Sequence, residues 1–124
     1  MQGYSVTIKY VSKELSAKER VMIKDTTNAV SLDEVTQGAK FVFEPDYYAI
    51  LNVHNDKSED KDYTKYLIVD KGGNKIVTGS ESFFTAFNDI MDEMEGTDEN
   101  FEIEAYRLPS KNYKGKEFIT CSIV

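Results

Sequence analysis

A basic loop near the end of the chain carries residue types that bind nucleic acid. Lys111, Lys114 and Lys116 surround Tyr113, and Arg107 precedes them. Lysine side chains neutralise phosphates, and an aromatic ring stacks on an unpaired base with about 1–3 kcal/mol per base. This mixture predicts non-specific binding of single-stranded nucleic acid. The alternative is a basic hairpin tip that is only solvated.

Three further candidates for the same interface lie in predicted strands. Lys65 and Tyr66 belong to a strand predicted over Thr64 to Val69, and Tyr48 belongs to an earlier one. The lysine would extend a positive groove, and each tyrosine would add a stacking ring. The alternative for each tyrosine is a place in the core or at its rim.

The chain is poorly supplied with the residues of hydrolytic and metal chemistry. It has one histidine, His54, one cysteine, Cys121, and no tryptophan. A single cysteine excludes an intrachain disulfide, and no His, Cys or carboxylate cluster has metal-ligand spacing. We therefore expect a non-enzymatic binding protein without metal or cofactor. His54, close to Asp56, is expected to be a structural hydrogen-bonding residue, and Cys121 a small buried apolar one.

The charge of the chain is strongly polarised. Its formal net charge is −7, and residues 89–104 hold eight of its 22 acidic residues and none of its 15 basic ones. The acidic residues of this stretch are Asp89, Asp92, Glu93, Glu95, Asp98, Glu99, Glu102 and Glu104. Such a run is typical of a solvated helix face and turn that keep a protein soluble. The alternative is a surface that mimics nucleic acid and binds a protein partner.

Length and composition favour one globular domain over residues 1–124. Apolar residues make up 40% and charged residues 30% of the chain, the balance of a soluble domain. No apolar run approaches the roughly 18 residues of a membrane helix, and the first residues lack the pattern of a signal peptide. We therefore expect a cytoplasmic protein of bacterial or viral origin that does not bind membranes.

The N-terminal part is predicted to form a β-hairpin over residues 1–25. Tyr4 to Val11 alternates apolar and polar residues, as a strand does, and Arg20 to Lys24 resembles a short returning strand. One face of the first strand carries the apolar residues Tyr4, Val6, Ile8 and Tyr10. Between Ser31 and Glu34 the capping-box spacing predicts a short helix or turn.

The remaining residues, 39–124, are predicted to alternate strands with one main helix. Residues 39–54 form one long strand bent near Pro45, or two strands in line, since proline cannot donate to a ladder. A polar loop follows, and then two strands joined at the Gly72-Gly73 turn. The helix opens near Ser80 and ends near Gly96. Its apolar face comprises Phe83, Phe87, Ile90, Met91 and Met94. Strands over Phe101 to Leu108 and Glu117 to Val124 flank the basic loop.

This order of elements is that of an OB-fold, a five-stranded, partly open Greek-key barrel. We therefore predict a mainly β, OB-like barrel with its main helix between the third and fourth barrel strands, preceded by the extra N-terminal hairpin. Such barrels bind oligonucleotides on strands two and three and on two loops, here residues 55–63 and 109–116. The alternative is a mixed sheet covered by one helix.

Two segments carry a resemblance to a known group of proteins. They are Ser82-Phe-Phe-Thr-Ala-Phe87 and the final Pro109-Ser-Lys-Asn-Tyr-Lys-Gly-Lys-Glu-Phe-Ile-Thr-Cys-Ser-Ile-Val124. With the element order of residues 39–124, they resemble small phage and mobile-element proteins of Gram-positive bacteria, some of which are similar to OB-fold single-stranded DNA-binding proteins. Housekeeping proteins of that type end in a flexible acidic tail, whereas this sequence ends on an apolar strand, Phe118 to Val124.

Two functions follow as hypotheses from different classes. The first is binding of single-stranded DNA, with RNA as the alternative ligand, in support of DNA replication, recombination or transfer of a mobile element. The second is an acidic phage-type inhibitor that binds a host nuclease or defence complex. The expected partners are therefore single-stranded DNA, a protein bound through residues 89–104, and a second copy in a homo-oligomer.

Overall fold

The computed structural model describes residues 3–124, and within them the chain is mainly β. The elements in chain order are β1 (Tyr4–Val11), α1 (Ala17–Lys24), β2 (Val30–Ser31), α2 (Leu32–Val35), β3 (Phe41–Phe43), β4 (Pro45–Asn55), β5 (Asp62–Asp70), β6 (Lys75–Thr78), α3 (Glu81–Met94), β7 (Ile103–Pro109) and β8 (Glu117–Ile123). None of the helices in residues 3–124 is long and apolar enough to cross a membrane.

The strands form two sheets, and the chain divides into two compact units. A five-stranded sheet has the order β1-β4-β5-β6-β2, and a three-stranded sheet has the order β3-β7-β8. The first unit comprises residues 3–30 and 46–79, and the second comprises residues 31–45 and 80–124. The predicted mainly β class is confirmed. The strands of residues 3–124 form two sheets and no closed barrel, so the OB-like barrel stays a prediction.

The first unit buries an apolar cluster between α1 and its sheet. The buried members are Ile23, Tyr47, Ala49, Leu51, Leu67 and Val69. β1 pairs with β4 in antiparallel register, and a register shift falls between Ile8 and Tyr10. This irregularity ends the predicted alternation, because Tyr10 is exposed while Val11 packs against the cluster. The prediction that Tyr10 shares the apolar face of Tyr4, Val6 and Ile8 is therefore wrong.

The predicted N-terminal hairpin is also wrong, because residues 17–24 form helix α1 instead of a returning strand. A complete capping box starts this helix. The Ser16 hydroxyl accepts from the Glu19 N–H at 3.2 Å, and the Glu19 carboxylate accepts from the Ser16 N–H at 2.9 Å. The two bonds satisfy N–H groups that a helix start otherwise leaves without partners. The short predicted helix at 31–34 is confirmed as α2, which lacks a side-chain cap.

The β5–β6 hairpin is confirmed, and its turn is organised by one carboxylate. Asp70 Oδ1 accepts from the N–H groups of Gly72 and Asn74 at 2.9 and 2.8 Å. Gly73 has a φ of 84°, a backbone conformation that favours glycine.

The second unit packs α3 on one face of its three-stranded sheet. Ser80 caps α3, and Phe83 and Phe87 on its inner face are fully buried. The Phe87 ring lies 5.6 Å from that of Phe83 and 6.3 Å from that of Phe43 on β3. Ile90, with Met91 and Met94, is half-buried. The predicted apolar face of this helix is therefore confirmed in its first turns and looser toward Gly96.

Candidate nucleic-acid interface

The basic loop is the connection of the β7–β8 hairpin. In this hairpin Leu108 pairs with Phe118 and Pro109 with Glu117. Two backbone bonds close the loop: the Ser110 N–H donates to the Lys116 carbonyl at 2.9 Å, and the Lys116 N–H to the Tyr113 carbonyl at 3.0 Å. Gly115, with a φ of 81°, allows the chain to turn back. The loop therefore has a defined shape.

A surface recess of about 870 Å³ is lined by three of the residues predicted to bind nucleic acid, two lysines and a tyrosine. Lys111, Tyr113 and Lys116 contribute to its lining together with the apolar side chains of Leu108 and Phe118. Tyr113 is 68% exposed, so its ring faces are accessible to a ligand. Lys114 is exposed on the same loop and is not part of the lining.

The hairpin register explains why apolar side chains reach this surface. Side chains alternate between the two faces of a strand. Ile103 and Ala105 are fully buried, which places Tyr106 and Leu108 on the opposite face of β7. Their partners on β8 are Thr120 and Phe118. Leu108 and Phe118 are exposed there, next to the basic loop.

Arg107 has a different environment from the loop lysines. Its Nε donates to the Thr36 hydroxyl at 3.2 Å, and its terminal nitrogen donates to the Asp33 carbonyl at 2.7 Å. These bonds hold the α2 segment against β7. Arg107 is a positioning residue in this arrangement, and it does not line the recess of Lys111 and Tyr113.

The other three predicted residues belong to the first unit, whereas the recess is built by residues 108–118 alone. Lys65 and Tyr66 are half-buried on β5. Tyr48 is 5% exposed, and its ring centroid lies 5.9 Å from that of Tyr10. A ring so covered offers no face for base stacking, so the structure argues against that role for Tyr48.

Sequence reasoning missed one cluster beside the hairpin. Lys40 Nζ lies 5.6 Å from the centre of the Tyr106 ring and 3.5 Å from Glu104 Oε1. The Tyr106 hydroxyl is 2.6 Å from Ser122 Oγ. Lys40 and Tyr106 line a second recess, of about 490 Å³. The alternation of residues 103–108 places Tyr106 on the face of Leu108, whereas no sequence signal brings Lys40 to this face.

His54 is a hydrogen-bonding residue, as predicted. Its Nδ1 lies 2.8 Å from Asp62 Oδ1, and its Nε2 lies 2.8 Å from Asp56 Oδ1. A carboxylate only accepts, so it is the protonated, charged form of the ring that donates to both partners at once. The hydrogen bonds with Asp62 and then Asp56 raise the pKa of His54. The sequence indicated Asp56 and gave no signal for Asp62.

Cys121 is a buried residue, as predicted. Burial raises the pKa of the Cys121 thiol to about 12, so the thiol stays protonated and weakly nucleophilic. No group of three His, Cys, Asp or Glu residues in residues 3–124 is placed to hold a metal ion.

Comparison with family models, curated proteins and solved structures finds no match to this chain.

Proposed function

We propose that this protein binds single-stranded nucleic acid, in the first place DNA, through the β7–β8 hairpin and without chemical catalysis. The recess formed by Lys111, Tyr113 and Lys116 is the observation that carries the proposal. It combines cations with an exposed ring, and the exposed apolar pair Leu108 and Phe118 borders it. Proteins that bind single strands without sequence preference use this combination of phosphate contacts and stacking platforms.

Two strand pairings support an OB-like architecture as part of this proposal. The first strand of an OB barrel bends and pairs with strands on both sides of the bend. Here β3 pairs with β7, while β4 begins two residues later, pairs with β1 and neighbours β5. Helix α3 follows β6 and precedes β7, the position of the helix between the third and fourth barrel strands.

The resemblance to phage and mobile-element proteins adds a biological setting to the proposal. Its residues, 82–87 and 109–124, include the start of α3 and the complete basic loop. We infer that the protein supports replication, recombination or transfer of such an element by covering exposed single strands.

The test is a binding titration of labelled oligo-dT, with duplex DNA and RNA of the same length as competitors. Each phosphate contact on a single strand contributes about −0.7 to the slope of log affinity against log salt. Replacing Lys111, Lys114 and Lys116 together by Ala should flatten that slope by about 2 units if all three contact phosphates. Tyr113→Ala should weaken binding by about 1–3 kcal/mol and leave the slope nearly unchanged.

A matched control removes the same charge from the first unit. Lys9, Lys18 and Lys24 are exposed, and their replacement by Ala should leave the slope near that of the wild type. The proposal fails if the wild type shows no salt-dependent binding of single strands, or if the loop variant binds as the wild type does.

The acidic stretch supports the inhibitor as a second candidate. Seven of its eight acidic side chains are exposed, and the eighth, Glu104, pairs with Lys40. An exposed acidic surface of this kind is able to repel nucleic acid or to present charge to a basic protein. A wild type that binds no oligonucleotide at low salt would leave this candidate ahead.

A further inference from the structure

We propose that the binding site continues from the hairpin along β7, with Tyr106 as a second stacking residue and Lys40 as its phosphate contact. The ligand of this extended site is an unstacked single strand of several nucleotides. The inference rests on the proposed function and specifies where on the second unit the strand lies.

The two recesses are contiguous, because Leu108 and Glu117 line both of them. Their combined lining contains four cationic side chains and a single anionic one, Glu117. The cationic residues are Lys40, Arg107, Lys111 and Lys116. An excess of positive charge along a continuous surface attracts a polyanionic strand and disfavours a basic partner.

The spacing of the side chains along β7 favours a ligand with unstacked bases. Tyr106 and Leu108 lie two residues apart on one face of β7, a separation of about 7 Å along the strand. Stacked bases in a duplex are only about 3.4 Å apart and present their edges, not their faces, to a protein. A base that stacks on the Tyr106 ring must present its face, which a base inside a duplex does not, so the proposed site takes single strands.

The Tyr106 ring is held in place, while its covering cation is able to move. The bond between the Tyr106 hydroxyl and Ser122 fixes the ring before a ligand arrives. Lys40 covers the ring, and its ion pair with Glu104 is partly exposed, with 65% of the Lys40 side chain and 29% of the Glu104 side chain accessible. An exposed ion pair contributes little to stability. Lys40 is therefore able to exchange Glu104 for a phosphate when a base stacks on Tyr106.

The test compares Tyr106→Leu with Tyr106→Phe in titrations with oligo-dT of increasing length. Leucine keeps the apolar bulk and loses the aromatic face, whereas phenylalanine keeps the face and loses the bond to Ser122. Tyr106→Leu should weaken binding of a twelve-nucleotide oligo-dT by about tenfold, while Tyr106→Phe should stay within about twofold of the wild type. The shortest oligonucleotides, which occupy only the hairpin, should bind both variants equally.

A salt titration of Lys40→Gln gives an independent readout. Loss of one phosphate contact should flatten the slope by about 0.7, and this measurement is available even if Tyr106→Leu folds poorly. If Tyr106→Leu or Lys40→Gln binds oligo-dT as the wild type does, while Tyr113→Ala weakens binding, the extension along β7 is wrong. The proposed function then stands. Absence of any wild-type binding overturns the proposed function itself.

Discussion

His54 bridges two carboxylates in the first unit. Its ring joins Asp62, at the start of β5, to Asp56, in the loop after β4. Because both partners are carboxylates, the bridge needs the protonated ring. Its pKa is raised from 6.5, first by the hydrogen bond with Asp62 and then by the bond with Asp56.

We predict that the stabilising effect of His54 depends on pH with a definite sign. A group whose pKa is higher in the folded state stabilises the fold fully below its unfolded pKa, about 6.5. That stability is lost as the pH rises through the folded value. Urea unfolding of the wild type and His54→Gln should therefore differ most below pH 6 and converge at alkaline pH. Asp62→Asn should reduce the difference, and a difference that grows with pH would contradict this account.

The environment of a residue could be predicted from the sequence only where local structure determines it. Tyr113 was expected to be accessible, and it is exposed because it lies at a hairpin tip. Tyr47 and Tyr48 are neighbours on β4 and therefore face opposite sides of the strand, yet both are buried. Tyr47 joins the apolar cluster, while the Tyr48 ring contacts that of Tyr10 on β1. That contact depends on the pairing of β4 with a distant strand, which the local pattern does not encode.

At the scale of elements, α1 shows that β-branched residues alone are a poor guide to a strand. Val21 and Ile23 are β-branched and favour strands, so residues 20–24 resemble a strand. The spacing of Ser16 and Glu19 fits a capping box that the strand prediction did not consider, and the structure forms it completely. Lys75, on β6, adds a tertiary contact by donating to the carbonyls of Met22 and Asp25 at the end of the helix. No local pattern predicts that contact.

We predict that Ser16→Ala lowers the free energy of unfolding by about 1 kcal/mol, because the α1 cap then loses its side-chain acceptor. The hydrogen bond from the Ser16 N–H lowers the pKa of Glu19, which indicates that the charged carboxylate takes part in the cap. Ser31→Ala is the matched control, since Ser31 precedes α2 without a side-chain cap bond. Urea unfolding should show a smaller loss for Ser31→Ala. Equal losses for the two variants would show that the capping box does not stabilise α1.

At the scale of the whole molecule, strand order was more predictable than strand partners. The sequence indicated most of the strands and the main helix, because periodicity and turn residues are local. It also indicated that residues 39–54 bend near Pro45, and the structure has two strands there that belong to different sheets. Whether strands close into a barrel depends on pairing between residues far apart in sequence, which periodicity does not report.

Charge is polarised within the second unit, and β7 connects its two extremes. The acidic stretch leads into the start of β7, and the basic loop follows its end. Seven residues of strand span roughly 20 Å. The Debye length is about 8 Å at physiological ionic strength and about 30 Å at 0.01 M salt. The acidic residues that precede β7 therefore act on a ligand at the hairpin only when salt is low.

We predict that neutralising Asp92, Glu93 and Glu95 to their amides tightens oligo-dT binding at low salt and leaves it unchanged at physiological salt. Fewer repelling charges raise the local concentration of the strand, and screening removes the effect. The control for the change in net charge is a variant of the first unit, in which the exposed Glu14, Glu59 and Asp60 are neutralised to their amides. Weaker oligo-dT binding by the first variant would mean that the acidic stretch takes part in binding, against the site assigned to the hairpin.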